Sequence, residues 1–151
     1  MKMRKIIILD STPLGLLTSP TRHQAASDCT AWLASHLSAG NRIYVPEIID
    51  YEIRRELLRL NKQDSLDALD GIIVRTDYLA ISSEMIQDAA HLWADIRRQG
   101  LPTAGDYDSD IDAILAAQAR SLRSADAIVA TSNVRHMGRY VPSAPWETID
   151  P

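Results

Sequence analysis

Acidic side chains carry most of the chemical potential of this chain. Asp10 follows directly on the apolar run Ile6-Ile7-Ile8-Leu9. Glu47, Asp50, Glu52 and Glu56 crowd one segment in the first half. Asp106, Asp108, Asp110 and Asp112 alternate with other residues just before the apolar stretch Ala113-Ile114-Leu115-Ala116-Ala117. Carboxylates gathered together repel and hold their protons unless a cation sits among them. Oxygen donors without cysteine or paired histidine suit Mg²⁺ or Mn²⁺, which keep some of their waters and take phosphate oxygens from a substrate. Two such ions about 4 Å apart activate an attacking water and stabilise the leaving oxygen of a phosphodiester. The acids therefore point to metal-dependent phosphodiester hydrolysis.

Each candidate also has a plainer job to be weighed against this one. Asp10 could cap a helix, yet a charge straight after a fully apolar strand is a common functional place in a parallel sheet. By spacing alone Glu52 reads as a surface acid beside Arg55 and Glu56. Either Asp110 or Asp112 could cap the apolar helix that follows. Asp106 and Asp108 read as solvated loop. Asn133, after Ile128-Val129-Ala130-Thr131-Ser132, could orient a metal-bound water or make a turn. His136 has no histidine partner at metal spacing and reads as a turn or packing residue. His23, His36 and His91 fall on helices and carry no motif. Cys29, Trp32 and Trp93 sit at helical spacing with aliphatic residues and read as core.

The elements that must position these residues follow from hydrophobic pattern. Lys5 to Leu9 reads as a strand buried on both faces, hence central in a parallel sheet. A Ser or Thr cap before Pro13 starts a short helix. Apolar spacing predicts helices over about 22–39, from Pro46 to about Leu60, briefly over 64–69, and from a Ser82 or Ser83 cap to Gly100. Strands are expected over 42–45, 78–81 and 127–130, with a fifth over 146–149 at an edge. Residues 101–109 read as a polar loop, and a helix beginning at Asp110 or Asp112 runs through Leu122. Strands alternating with helices predict an α/β domain with a mainly parallel sheet and helices on both faces.

Composition sets the outer limits. The chain has 151 residues, 46% of them hydrophobic and 24% charged, as an ordinary globular domain has. No linker or repeat divides it, so one domain over 1–151 is expected. A single cysteine excludes an intramolecular disulfide framework and a cysteine-built zinc or iron–sulfur site. No apolar run approaches the ~18 residues of a membrane span. The start does not resemble a signal peptide, so a reducing cytoplasm is the expected compartment. A formal net charge of −4 argues against binding nucleic acid by bulk charge alone. Without Asp10, Glu52, Asp110 and Asp112 the remaining acids equal Lys plus Arg at 16 each, so the acidic surplus fits one site.

Four motifs in order resemble the PIN-domain nucleases, and more narrowly the VapC-like toxins of type II toxin–antitoxin pairs. They are Ile8-Leu9-Asp10-Ser11-Thr12, the segment from Val45 to Leu57, Asp110-Ile111-Asp112-Ala113-Ile114-Leu115-Ala116-Ala117, and Ile128 to Met137. Trp93-Ala94-Asp95-Ile96-Arg97-Arg98-Gln99-Gly100 is similar to family members as well. The resemblance covers nearly the whole chain. It implies a three-layer α/β/α fold with a four- or five-stranded sheet and a Mg²⁺- or Mn²⁺-dependent ribonuclease. By position, Asp10, Glu52 and Asp112 match the family's metal-binding acids, and Asn133 stands where the family often has a further Asp or Asn. Asp110 could replace some of the charge that Asn133 lacks. Ser11 and Thr131 match small hydroxyl positions that support the first acid. The family's usual Phe after the Asn motif is replaced by Met137, in a chain without any Phe.

The expectation is thus an endoribonuclease that hydrolyses single-stranded RNA. An antitoxin protein and a homodimer are the partners the resemblance implies, and no membrane is involved. Arg54, Arg97, Arg98 or Arg135 could contact flanking phosphates. The alternative is a catalytically weak PIN-like module that binds RNA or protein, favoured by the neutral Asn133 and the acidic net charge. A phosphatase using Asp10 as nucleophile is disfavoured, because position 12 is Thr rather than a second Asp.

Overall fold

A computed structural model describes residues 3–19, 23–100 and 106–151, with the backbone alone for 106–109. In chain order the elements are β1 (Ile6–Leu9), α1 (Ser11–Thr18), α2 (Gln24–Ser38), β2 (Arg42–Pro46), α3 (Glu47–Arg59) and α4 (Gln63–Arg75). Then come β3 (Asp77–Leu79), α5 (Ser83–Arg98), α6 (Asp106–Ser121), β4 (Ala127–Ala130), α7 (Val134–Met137) and β5 (Ser143–Ala144), with a 3₁₀ turn at Trp146–Thr148. The strands form one parallel sheet in the order β3-β2-β1-β4-β5. Helices flank it in a three-layer α/β/α arrangement. Among the described residues no helix is long and apolar enough to cross a membrane.

The all-apolar first strand behaves as its composition requires. Ile7, Ile8 and Leu9 are completely buried, and β1 pairs with β2 on one side and β4 on the other. Side chains alternate across a strand, so full burial of three in a row means that both faces are covered. Around β1 the core gathers Leu14, Cys29, Leu33, Ile43, Val45, Ile49, Leu69, Leu115, Ala116 and Val129.

A second set of bonds pins the chain's last turn to this core. The Lys5 amide donates to Asn41 Oδ1 at 2.9 Å, which turns the Asn41 amino group toward His36 Nδ1, also at 2.9 Å. His36 Nε2 lies 2.8 Å from the Ile149 carbonyl. A carbonyl only accepts, so Nε2 carries the proton and Nδ1 accepts from Asn41. Trp32 Nε1 donates to the same carbonyl at 2.9 Å, and the Trp32 ring meets Trp146 edge-on with centroids 5.7 Å apart.

Four sequence expectations are corrected here. The fifth strand is Ser143–Ala144, paired with β4, rather than residues 146–149. Trp146 and Ile149 are core residues spaced by one helical turn, and Pro145 diverts the chain into the 3₁₀ turn. The expected loop over 101–109 lies partly outside the described residues, and from Asp106 onward it is helix. Asp and Ser are poor helix formers, but the first turn favours negative charge near its free N–H groups. The helix expected over 64–69 runs from Gln63 to Arg75, straight through Gly71. Leu66, Leu69 and Ile72 form its buried stripe and outweigh the cost of one interior glycine. Finally, Asp10 itself caps α1, and Ser11 is already helical.

Candidate functional site

The site lies where the strand order reverses. From β1 the chain winds outward through β2 and β3, then returns to place β4 on the other side of β1. Loops leaving the C-terminal ends of β1 and β4 therefore diverge and leave a crevice between them. Hydrogen bonds lace its two sides together. The Asp10 amide donates to the Ala130 carbonyl at 3.0 Å. Asp10 Oδ1 accepts from the Ser11 amide and Oδ2 from the Thr131 hydroxyl, each at 2.6 Å. Thr131 Oγ1 in turn accepts from the Asn133 amide at 3.0 Å. The Thr12 and Ser132 hydroxyls meet at 2.8 Å across the mouth. Asp10 is 8% exposed, so these donors are what makes a charged carboxylate tolerable there.

The crevice holds a small polar cleft of about 140 Å³, lined by Asp10, Glu52, Asp112 and Asn133 among others. Each comes from a separate element. Asp10 follows β1, Glu52 is on α3, Asp112 is on α6, and Asn133 is in the β4–α7 turn. Gln118 sets α3 against α6. It is fully buried, its Oε1 accepts from the Ile48 amide at 3.3 Å, and its Nε2 donates to the Leu79 carbonyl at 2.6 Å. The N-cap of α3 is Pro46, which offers no side-chain bond, so Gln118 supplies from α6 a cap that α3 lacks. Glu52 lies about one helical turn beyond Ile48, and Asp112 lies on the same helix as Gln118. One buried amide thus ties together the two helices that carry these carboxylates.

The other acids of α3 have structural work. Glu47 Oε1 accepts from the Ile81 amide at 3.0 Å. Asp50 accepts from Arg54 Nε at 3.0 Å and from the Tyr78 hydroxyl at 2.7 Å. Burial, then the bond to Asp50, pushes the Tyr78 phenol well above its ordinary range. Arg54 also reaches Asp70 on α4 at 2.8 Å. Glu56 pairs with Arg59 on the exposed face of α3.

Asp110 does not join the cleft. It is exposed, two residues before Asp112 and so about 200° further round an ideal helix. It lines a groove between α6 and α5 with Ile86 and Trp93. The side chains of Asp106 and Asp108 lie outside the described residues. Of the candidate phosphate-binding arginines, Arg54 is engaged as above, Arg98 pairs with Asp95, and Arg97 stacks 4.2 Å over Trp93. Arg135 is exposed on α7, two residues after Asn133.

His136 is packed in the fold, as the sequence suggests, but against a polar neighbour that the sequence does not show. It is buried on α7, with Nε2 3.3 Å from Asp112 Oδ2. Its only sequence signal is a place three residues after Asn133, and the pairing with Asp112 reaches back across β4 and the later part of α6. Tyr140 stands near them. Its hydroxyl is buried without a hydrogen-bond partner among the described residues. Burial first, then the negative field of Asp112, raises its pKa.

The donor set fits a hard divalent cation. The cleft offers carboxylate and amide oxygens and no sulfur, and each Asp10 oxygen keeps a lone pair beyond the bond it accepts. Among the described residues no three Asp, Glu, His or Cys side chains form a ready-made cage.

Fold and cleft together define a parallel α/β protein with converging carboxylates at its switch point. The model of the PIN domain family matches residues 7–138, and the chain belongs to that family. Among solved structures it is similar to VapBC2 from Rickettsia felis bound to a DNA fragment from their promoter. That match has 17% identity and a TM-score of 0.71, and covers 93% of this chain and 98% of the other. VapBC-1 from nontypeable Haemophilus influenzae matches at 19% identity and a TM-score of 0.70, over 95% and 99% of the two chains. DNA-bound VapBC from Salmonella typhimurium matches at 20% identity and a TM-score of 0.65, with the same coverage of 95% and 99%. No curated protein matches the chain significantly.

Proposed function

We propose that this chain is a divalent-metal-dependent endoribonuclease that hydrolyses single-stranded RNA, and that it is the toxin of a toxin–antitoxin pair. The observation that carries the nuclease reading is the meeting of Asp10, Glu52, Asp112 and Asn133 from four separate elements in one cleft. Family membership supports the reaction class. The similarity to VapBC assemblies supports the toxin role and a small antitoxin protein as partner. A second copy of the chain is a further partner in this reading.

Asp10, Glu52 and Asp112 would hold Mg²⁺ or Mn²⁺. When bound, such an ion lowers the pKa of water and offsets charge at the scissile phosphate. The chain's own residues supply position. The Ser11 amide and the Thr131 hydroxyl fix the Asp10 carboxylate, and Gln118 ties α3, which carries Glu52, to α6, which carries Asp112. Asn133 adds a neutral amide able to orient water or phosphate. Arg135 is the exposed cation on the helix after Asn133 and suits a flanking phosphate.

The test is cleavage of a labelled single-stranded RNA pool with Mg²⁺, with Mn²⁺ and with EDTA. An identically prepared Asp112→Asn protein runs beside the wild type. Metal-dependent cutting that the variant loses, with its circular dichroism unchanged, is the expected result. RNA retained equally by both proteins but never cut would favour the binding-module reading, which the neutral Asn133 and the acidic net charge support.

A further inference from the structure

The short helix α7 is held in place from several sides. Its backbone starts with the Met137 amide on the Asn133 carbonyl at 3.0 Å and ends with the Gly138 amide on the Val134 carbonyl at 2.8 Å. Met137 is 1% exposed and belongs to the main core. A Cβ on Gly138 would stand 2.7 Å from the Val134 oxygen, so only glycine lets this turn close so tightly. The Ser143 hydroxyl ties the same Val134 oxygen to β5 at 3.5 Å. His136 therefore leaves the backbone from a fixed point and has little freedom to swing.

From that point Nε2 stands 3.3 Å from Asp112 Oδ2. Packing alone is better served by Leu or Met, because a buried imidazole costs free energy unless its nitrogens meet polar partners. Nε2 makes no aligned hydrogen bond to this oxygen, so the contact is the polar edge of the imidazole set against a carboxylate rather than a formed bond. A carboxylate drawn toward His136 by one oxygen turns the other away from it. Asp112 lines the cleft and His136 does not, so that rotation points the second oxygen inward.

We propose that His136 is a positioning residue for Asp112, drawing Oδ2 out of the cleft so that Oδ1 is presented to a divalent cation. The inference rests on the nuclease reading above. Partners of this kind behind a ligating carboxylate are commonly worth 10- to 100-fold in metal affinity.

The experiment measures binding of Mn²⁺ alone by calorimetry, with thermal unfolding in EDTA as the control for packing. His136→Leu keeps the bulk and removes the donor. His136→Gln keeps an N–H at similar reach. The expected result is Mn²⁺ affinity about tenfold or more weaker for the Leu protein, largely restored in the Gln protein, without a matching order of melting temperatures. If the Leu protein does not fold, His136→Asn, polar but too short to reach Oδ2, is expected to show the same loss. Equal affinity in all variants, or equal weakening by Leu and Gln, would overturn the positioning role and leave the nuclease reading standing. A wild-type protein that binds no Mn²⁺ would overturn both.

Discussion

Asp10 shows how a carboxylate can be built into a fold before any ligand arrives. It caps α1, accepts the Thr131 hydroxyl, and joins β1 to β4 through its own amide. Its orientation therefore depends on a neighbour 121 positions away, and Thr131 is the natural place to test it. Thr131→Val keeps the shape and removes the hydroxyl. Asp10 Oδ2 and the Asn133 amide then each lose a buried partner. The expected cost is about 1–3 kcal/mol in urea denaturation, with Thr131→Ser close to wild type. Equal stability of the Val and Ser proteins would show that water replaces the hydroxyl freely. The residue scale is also where the sequence speaks least evenly. Asp10 was legible because an unbroken apolar strand ends on it. Glu52 was legible only through resemblance, since its spacing equally describes a solvated helix face. His136 was legible as a packing residue, but its contact with Asp112 was not, because no local pattern encodes it.

At the scale of elements, local chemistry and tertiary packing divide the work. The helix stops and caps were plain where a residue type had one role, as Ser82 does in capping α5. They failed where a helix drew its support from elsewhere. Gly71 lies beyond the short helix expected over 64–69, yet its backbone is helical and nothing lies within 4 Å of where its Cβ would be. Gly71→Ala is thus expected to stabilise the protein by about 0.5–1 kcal/mol, raising the urea midpoint without altering the slope. A lower midpoint would mean that the glycine serves something other than chain geometry. The cap of α3 is the opposite case, since Gln118 on α6 provides it across space. Gln118→Leu leaves the Ile48 amide and the Leu79 carbonyl buried without their side-chain partner. A loss of about 2 kcal/mol or more is expected. The proposed metal-dependent cleavage should fall further than stability explains, because the tie between the helices carrying Glu52 and Asp112 is released. Activity that tracks the folded fraction alone would reduce Gln118 to a purely structural part.

Over the whole molecule, burial decides which titratable groups link stability to pH. Cys29 sits where α2 crosses α1, fully buried, with its thiol 3.6 Å from the Pro13 carbonyl. Burial, and secondarily the charge of Glu147 near the chain's last turn, moves its pKa from 9.0 up to about 12. The folded chain therefore keeps this proton through a range where the unfolded chain has lost it. Fewer protons on the unfolded state means that stability falls as pH rises, by up to about 1.4 kcal/mol per pH unit. The contribution is fully present below pH 9 and is lost progressively toward pH 12. Urea midpoints measured from pH 7 to 11 should thus decline more steeply for the wild type than for Cys29→Ala, which has no thiol to ionise. The same burial makes the thiol a reporter of global opening. A disulfide reagent at pH 8 should label it at the rate at which the molecule unfolds, independently of reagent concentration once that is high. Parallel pH profiles for the two proteins, or immediate labelling of the native chain, would mean that α1 and α2 part locally without the rest of the core. The tether that His36 and Trp32 make to the Ile149 carbonyl opposes such local parting, because it binds α2 to the far end of the chain.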